Sequence, residues 1–140
     1  NARRQWSLAD NGFLRYGKLG LFDKEMLKVI KKYKVLSDGY PYKWHTDHEN
    51  KTLAYSHKGL YFVMNWSPTN SIPDYRVEVP WAGKYTVELS TDEERFGGFA
   101  RQTKGQEHFT ETIMDEWDNA HHFIKIYNTA RTAMVLKWHK

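Results

Sequence analysis

Apolar positions along the chain follow two different periods, and the change falls near residue 39. Before it, apolar residues recur every three or four positions between residues 19 and 36, as on one side of an α-helix. These residues are Leu19, Phe22, Met26, Val29, Ile30, Tyr33 and Leu36. Asp23 is the predicted N-cap, which places Lys31 and Lys32 near the carboxyl end. Gly17 and Gly20 are expected to break the helical pattern upstream of that cap.

After Pro41 the period changes to two. Short runs rich in aromatic and β-branched residues alternate with turn residues, which predicts a β-sandwich or barrel of about eight strands. The expected strands are Tyr42–Asp47, Thr52–His57, Leu60–Trp66, Asp74–Val79, Lys84–Ser90, Phe109–Met114, His121–Tyr127 and Thr132–Trp138. The expected fold is mainly β, an antiparallel β-sandwich of Greek-key type with an N-terminal helical segment packed on it. Residues 1–38 are assigned to the helical segment and residues 39–140 to the sandwich.

Individual strands predict which faces are buried. In the run 84–89, alternation places Tyr85, Val87 and Leu89 on one face, towards the core. The run from Leu60 to Met64 is almost continuously apolar, which predicts a central strand covered on both faces, one of them by the helix. Short turns at 58–59, 80–83 and 128–130 favour antiparallel neighbours.

Composition limits the function classes. The chain has 140 residues, of which 40% are hydrophobic and 16% aromatic, too apolar for a disordered chain, and no run of about 18 apolar residues could span a bilayer. The net charge of +4 is spread along the chain, which does not predict a nucleic-acid surface. Absence of cysteine excludes disulfides and thiolate zinc sites and fits a reducing cytoplasm. The start at Asn1, without a capping or targeting signal, favours a piece of a longer chain.

Polar residues give no catalytic constellation. His45 and His48 are expected on opposite faces, so that no metal site and no cofactor is predicted. The acidic run from Asp92 to Glu94 and the group from Asp115 to Asp118 are interpreted as solvated turn residues, and no catalytic residue is assigned.

Tryptophan is the unusual residue type, with six copies. Four lie at predicted strand ends or loops, where a flat ring can stack on the face of a sugar. These candidate glucan-contact residues are Trp44, Trp66, Trp81 and Trp117. The alternative is that the same rings fill the core or the contact with a neighbouring domain.

Three blocks, in order, resemble one family. The stretch NWSPTNSIPDYRV, residues 65–77, resembles a signature of the C-terminal domain of 1,4-α-glucan branching enzymes, in the α-amylase superfamily. The blocks PWAGKY at 80–85 and LSTD with RFGGF at 89–99 are similar to later segments of that domain. Upstream, ARRQWSL, LRY and FDKEM resemble the segment that ends the catalytic barrel of these enzymes.

The resemblance implies a parent enzyme with a catalytic (β/α)₈ barrel. That barrel cleaves an α-1,4 linkage through a covalent intermediate, with an Asp nucleophile and a Glu acid/base, and transfers the chain to a 6-hydroxyl. No position of this sequence matches those catalytic motifs, so the implied role is non-catalytic: support of the barrel in cis and contact with α-glucan in the cytoplasm. The alternative is a stand-alone carbohydrate-binding module.

The motif also predicts a stiff connection between two strands. Pro68 and Pro73 bracket a segment whose side chains bond their own backbone. Structural roles are therefore expected for Pro68, Ser71, Asp74, Tyr75, Arg76, Gly97 and Gly98. Tyr75, Val77 and Val79 are expected on one face of the next strand, and Arg76 is expected to pair with Asp92 or Glu94.

Overall fold

The computed structural model describes residues 15–36 and 39–140. Within these ranges one helix, α1, precedes nine strands, and a 3₁₀ turn follows β5. The elements are α1 Arg15–Lys32, β1 Tyr42–Asp47, β2 Thr52–His57, β3 Leu60–Asn65, β4 Ile72–Val79, β5 Lys84–Ser90, the 3₁₀ turn Glu94–Phe96, β6 Glu107–Phe109, β7 Glu111–Met114, β8 Ala120–Asn128 and β9 Thr132–His139. The upstream block with Trp6 and the junction at 37–38 lie outside the described residues.

All strand pairs are antiparallel and form two sheets. The larger sheet has the order β1-β2-β3-β9-β5-β6, and the smaller has the order β4-β8-β7. The mainly β fold with a helix packed on it is thus confirmed, with nine strands instead of about eight.

The strand predicted over 109–114 is in fact two strands in different sheets. β6 pairs with β5 in the larger sheet, and β7 pairs with β8 in the smaller. Between them, Thr110 donates its N–H to the carbonyl of Gly83, and its side-chain oxygen accepts from the Gly83 N–H. The chain therefore changes sheets at Thr110.

Two of the short turns join strands of different sheets. Residues 58–59 link the antiparallel neighbours β2 and β3, as expected. The turn 80–83 leads from β4 in the smaller sheet to β5 in the larger, and 129–131 leads from β8 to β9. For these two turns the prediction of paired neighbours is wrong, because a sandwich also uses short links to change layers.

Helix α1 begins earlier than the sequence predicts. It starts at Arg15 and runs through Gly20 and Asp23, so Asp23 is not the N-cap and Gly17 and Gly20 do not end a helix. Each glycine costs up to about 1 kcal/mol of helix propensity, which tertiary packing overrides here. At the carboxyl end Lys31 and Lys32 lie in the last turn as predicted, but the helix stops at Lys32, so that Tyr33 and Leu36 of the predicted apolar stripe follow it in a turn.

Two apolar clusters lie on opposite faces of the larger sheet. Between the sheets lie residues of both inner faces: Ala54, Tyr61, Val63, Val77, Val79, Tyr85, Val87, Ile124, Ile126, Met134 and Leu136. On the outer face, Leu60, Leu89 and Val135 pack with Val29, Phe22 and Met26 of the helix. The prediction that β3 is covered on both faces, once by the helix, is confirmed.

A β-bulge changes the expected face of Leu89. Val87 pairs with Leu136 and Leu89 with the adjacent Val135, so that β5 carries one extra residue at Glu88. Tyr85 and Val87 face the inter-sheet core as predicted, but Leu89 faces the helix. The prediction that all three share a face is therefore wrong for Leu89.

Candidate functional site

The candidate tryptophans lie at different places on the sandwich. Trp66 follows β3 at the end where β8 ends and β9 begins, since Asn65 pairs with Thr132. Trp81 follows β4 at the opposite end, where β8 begins, since Val79 pairs with His122. Trp117 lies in the β7–β8 turn at that same end, and Trp44 lies within β1. The fold therefore does not gather the four rings into one site.

Trp66 projects from a closely hydrogen-bonded connection and is 58% exposed. Its backbone N–H donates to the Lys51 carbonyl at 2.9 Å, and the next N–H, of Ser67, donates to Asn65 Oδ1 at 2.8 Å. The Ser67 hydroxyl accepts from the Asn70 N–H at 2.9 Å. The connection thus presents the Trp66 ring to solvent from a fixed backbone.

Ser71 bonds to two neighbouring segments. Its hydroxyl accepts from the Ala130 N–H at 2.9 Å and from Arg101 Nη1 at 3.3 Å. Pro68 is exposed in this connection, and Pro73 and Asp74 are exposed in the first residues of β4, which begins before the predicted Asp74. Asp74 has a φ of +51° where the β4–β8 register shifts.

Asp92 is buried, against the sequence interpretation. It is 2% exposed, and its carboxylate accepts from the Arg101 side chain at 2.8 Å and 3.2 Å and from the Arg101 N–H at 2.7 Å. A further bond comes from the Phe99 N–H at 3.3 Å. Burial alone would raise the pKa of Asp92, but these hydrogen bonds hold it below its usual value. Glu93 is also buried, and it accepts from the Ser90 N–H, so only Glu94 is solvated as predicted.

Arg76 pairs with neither of its predicted partners. Its guanidinium lies 4.6 Å from the centre of the Phe123 ring, a cation–π contact. Arg101, which the sequence analysis did not single out, takes the carboxylate of Asp92 instead. Tyr75, Val77 and Val79 do share the core face of β4, as predicted.

Two adjoining depressions connect Trp66 with Phe99. The first has a volume of about 350 Å³ and is lined by Trp66 together with Thr91, Arg131 and Thr132. The second, of about 210 Å³, has the same last three residues and Phe99 in its lining. We call the two together the Trp66–Phe99 groove. Gly97 and Gly98 line its Phe99 end, where Gly98 packs against the backbone of Asp92.

Trp81 and Trp138 form an aromatic pair at the other end of the sandwich. Their ring centres are 4.8 Å apart, and the Trp138 indole N–H donates to the Ala82 carbonyl at 3.0 Å. The Tyr85 hydroxyl holds the same turn through both backbone groups of Trp81. Burial raises the pKa of Tyr85 to about 12, so the hydroxyl stays protonated. One face of Trp81 is therefore already occupied.

Trp117 lies on a turn organised by Asp115. Asp115 Oδ1 accepts from the N–H groups of Trp117 and Asn119, each at 2.9 Å, and Asp115 Oδ2 lies 2.9 Å from His121 Nε2. His121 Nδ1 lies 2.8 Å from Glu78 Oε2. The bond to His121, followed by those from the turn, lowers the pKa of Asp115 to about 2, and both carboxylates raise the pKa of His121.

Trp44 packs against the edge of the inter-sheet core. Its indole N–H donates to Ser56 Oγ at 2.9 Å. On the same strand, Asp47 Oδ2 accepts from the Tyr75 hydroxyl at 2.7 Å, which bonds β1 to β4. Hydrogen bonds from Asn50, then from Tyr75, lower the pKa of Asp47 to about 2.

An apolar groove of about 530 Å³ lies beside α1 on the larger sheet. Ile30 and Met26 line its helix side, and Tyr55, Phe62 and Met64 line its sheet side. Leu27, next to Ile30 on the helix surface, is 54% exposed. We call this surface the α1 groove.

Within residues 15–36 and 39–140, no three His, Asp or Glu side chains are arranged to hold a metal ion. The same residues contain no helix with the length and hydropathy needed to cross a membrane.

Two antiparallel sheets form the body of this protein, and a single described helix packs on the larger one. The class is therefore that of an all-β domain. The family model of the alpha-amylase C-terminal all-beta domain matches residues 42–139. The chain belongs to this family, and the family resemblance noted from the sequence is confirmed.

Similar proteins include 1,4-alpha-glucan-branching enzymes from several organisms. One from Saccharomyces cerevisiae is 38% identical over 135 residues, 96% of this chain and 19% of the relative. One from Rhizophagus irregularis is 37% identical over 135 residues, 96% of this chain and 20% of the relative. One from Dictyostelium discoideum is 34% identical over 137 residues, 98% of this chain and 20% of the relative. The chain thus spans about a fifth of the length of the curated relatives it matches.

Proposed function

We propose that this chain is the non-catalytic C-terminal domain of a cytoplasmic 1,4-α-glucan-branching enzyme. The observation that carries the proposal is the extent of the match to the branching enzymes. Because it covers 96% of the chain, it extends beyond residues 42–139 and includes α1. In this proposal the preceding part of the parent cleaves an α-1,4 linkage and forms the α-1,6 branch, and residues 1–38 are the end of its barrel.

The α1 groove is the proposed contact with the catalytic part of the parent. Its lining is almost wholly apolar, and Leu27 extends the apolar surface along the helix. Apolar surface exposed beside a packed helix is typical of a protein–protein contact. The catalytic part is the proposed occupant, because the relatives are about five times longer than the chain and their match includes the helix that forms one wall.

A chimeric enzyme tests this contact. The matching segment of the Saccharomyces cerevisiae relative is replaced by this chain, and branching is followed by loss of the iodine colour of amylose. We expect the chimera to be active and the same chimera with Leu27→Glu to lose most of its activity, because a charge enters the contact. A chimera no more active than the enzyme truncated before the segment would overturn the proposal.

Leu21→Glu is the matched control. Leu21 is on the same helix, is also partly exposed and lies away from Leu27 and Ile30 around the helix axis. We expect this variant to keep the activity of the chimera. An equal loss in both variants would place the contact elsewhere on α1, and equal urea midpoints of the isolated chains would exclude misfolding as the cause.

Contact with α-glucan is the second part of the proposed role. It is supported by the exposed rings of Trp66, Trp81 and Trp117, since exposed tryptophans supply flat apolar faces for sugar stacking. Affinity electrophoresis of the chain through a gel with glycogen, beside a gel without it, tests this part. Retardation is expected. Unchanged mobility would leave the domain with the barrel contact alone, and retardation together with an inactive chimera would favour a stand-alone carbohydrate-binding module.

A further inference from the structure

We propose that the Trp66–Phe99 groove is the α-glucan site of this domain, with Trp66 as the stacking platform and Arg131 and Thr91 as polar contacts. This inference rests on the proposed contact with α-glucan and adds the place and the residues.

The rings of Trp66 and Phe99 are exposed, and hydrogen bonds fix the backbone that carries each of them. Trp66 is 58% exposed and Phe99 is 81% exposed. The Trp66 segment is fixed by its bond to Lys51, and the Phe99 segment is fixed by Asp92, which accepts from the N–H groups on both sides of Ala100. Such fixed rings lose little conformational entropy when a ligand stacks on them.

The floor between the rings carries polar groups that a sugar can use. Arg131 is exposed in the turn before β9 and makes no ion pair with any residue of the described ranges. The Thr91 side-chain oxygen accepts from the Ala133 N–H at 3.0 Å, which leaves its own proton for a ligand oxygen. Both residues line the two halves of the groove.

The chemistry of the groove favours a neutral sugar over a charged polymer. A glucose unit presents a C–H face to an aromatic ring and hydroxyls at its rim, and sites of this kind combine apolar walls with a few placed polar groups. A phosphate polymer would need clustered positive charge. Here Asp92 already neutralises Arg101, so Arg131 is the remaining cation of the lining.

The other exposed tryptophans fit a sugar less well. Trp81 has one face against Trp138 at 4.8 Å. Trp117 lies at the tip of a turn, outside the lining of the Trp66–Phe99 groove and of the α1 groove. These two residues therefore supply the matched controls.

Binding of maltoheptaose to the chain, measured by isothermal titration calorimetry, tests the assignment. Trp66→Ala is expected to weaken binding by roughly tenfold or more, the usual effect of truncating a central aromatic contact. Arg131→Ala and Phe99→Ala are expected to weaken it less, and Trp81→Ala and Trp117→Ala are expected to leave it within about twofold of the unchanged chain.

Amide NMR shifts keep the test independent of variant folding. In the unchanged chain, maltoheptaose is expected to shift the amides of Trp66, Thr91 and Arg131. Shifts confined to the turns of Trp81 or Trp117 would overturn the groove and leave the glucan contact standing. Absence of any binding would overturn both. If the unchanged chain does not bind maltoheptaose and Trp66→Ala lowers the activity of the chimera, the groove is a contact between domains instead.

Discussion

Removal of the Asp92 carboxylate is expected to lower the free energy of unfolding of this domain strongly. Asp92→Ala takes away the acceptor of four hydrogen bonds, two from backbone N–H groups and two from the Arg101 guanidinium. Breaking a buried ion pair by removing one partner costs about 3–5 kcal/mol. Because the Arg101 side chain is 26% exposed and can regain water, we expect a loss of about 3 kcal/mol, the lower end.

Urea unfolding followed by tryptophan fluorescence measures this loss. With a slope of about 2 kcal/mol per M, a loss of about 3 kcal/mol lowers the midpoint by about 1.5 M. The control is Glu94→Ala in the same acidic run, where the exposed side chain predicts a change within about 0.5 kcal/mol. A loss below about 1 kcal/mol for Asp92→Ala would refute the reasoning that the carboxylate holds this turn.

The effect of Asp92 has a defined pH dependence. Its folded-state pKa is lowered from the ordinary value of 3.8, so its contribution to stability is fully present above that value. The contribution is lost as the pH falls through the lowered value. The difference in unfolding free energy between Asp92→Asn and the unchanged chain is therefore expected to shrink in acid, and a difference that does not change between neutral and strongly acidic pH would contradict this.

Three further outcomes are expected. The raised pKa of His121 means that its bridge between two carboxylates is complete below its unfolded pKa and is lost as the pH rises through the folded value, which NMR titration of the ring and of the adjoining turn amides checks. Gly98→Ala would place a Cβ 2.2 Å from the Asp92 backbone and is expected to cost several kcal/mol in urea unfolding, whereas Gly105→Ala, with open space and a φ of +86°, should cost only about 1–2 kcal/mol. Val87→Asp would bury a charge between the sheets and is expected to cost several kcal/mol; an unchanged melting temperature would disprove the facing assigned to β5.

Local patterns predicted most strands, and the exceptions have tertiary causes. The ranges 42–47, 52–57 and 84–90 agree with the structure residue for residue, because alternation and turn residues mark both ends. The division of 109–114 depends on Thr110 meeting Gly83, a contact distant in sequence. The early start of α1 through Gly20 depends on packing against the sheet, which propensity does not contain.

The site was harder to predict than the fold. Trp66 was singled out at the end of a predicted strand, and its ring is exposed. Phe99 entered only as part of the family resemblance and Arg131 not at all, because they join the groove only when β9 lies beside the turn after β5. Asp92 was interpreted as solvated because acidic runs in turns usually are. The signal that could have indicated burial was Arg101, close enough along the chain to fold back on it.

The bulge at Glu88 determines the faces of the sheet on which Leu89 and Ser90 lie. Before it the strand fills the space between the sheets, and after it Leu89 fills the space under α1. If Glu88 paired in regular register, with no residue removed, Leu89 would turn towards the sandwich and Ser90 towards the helix, which would separate Ser90 from Gln102, its buried partner at 2.8 Å. Deletion of Glu88 would instead remove the extra residue and leave both side chains on their present faces. Homologous domains are therefore expected either to keep this bulge or to be one residue shorter at this position.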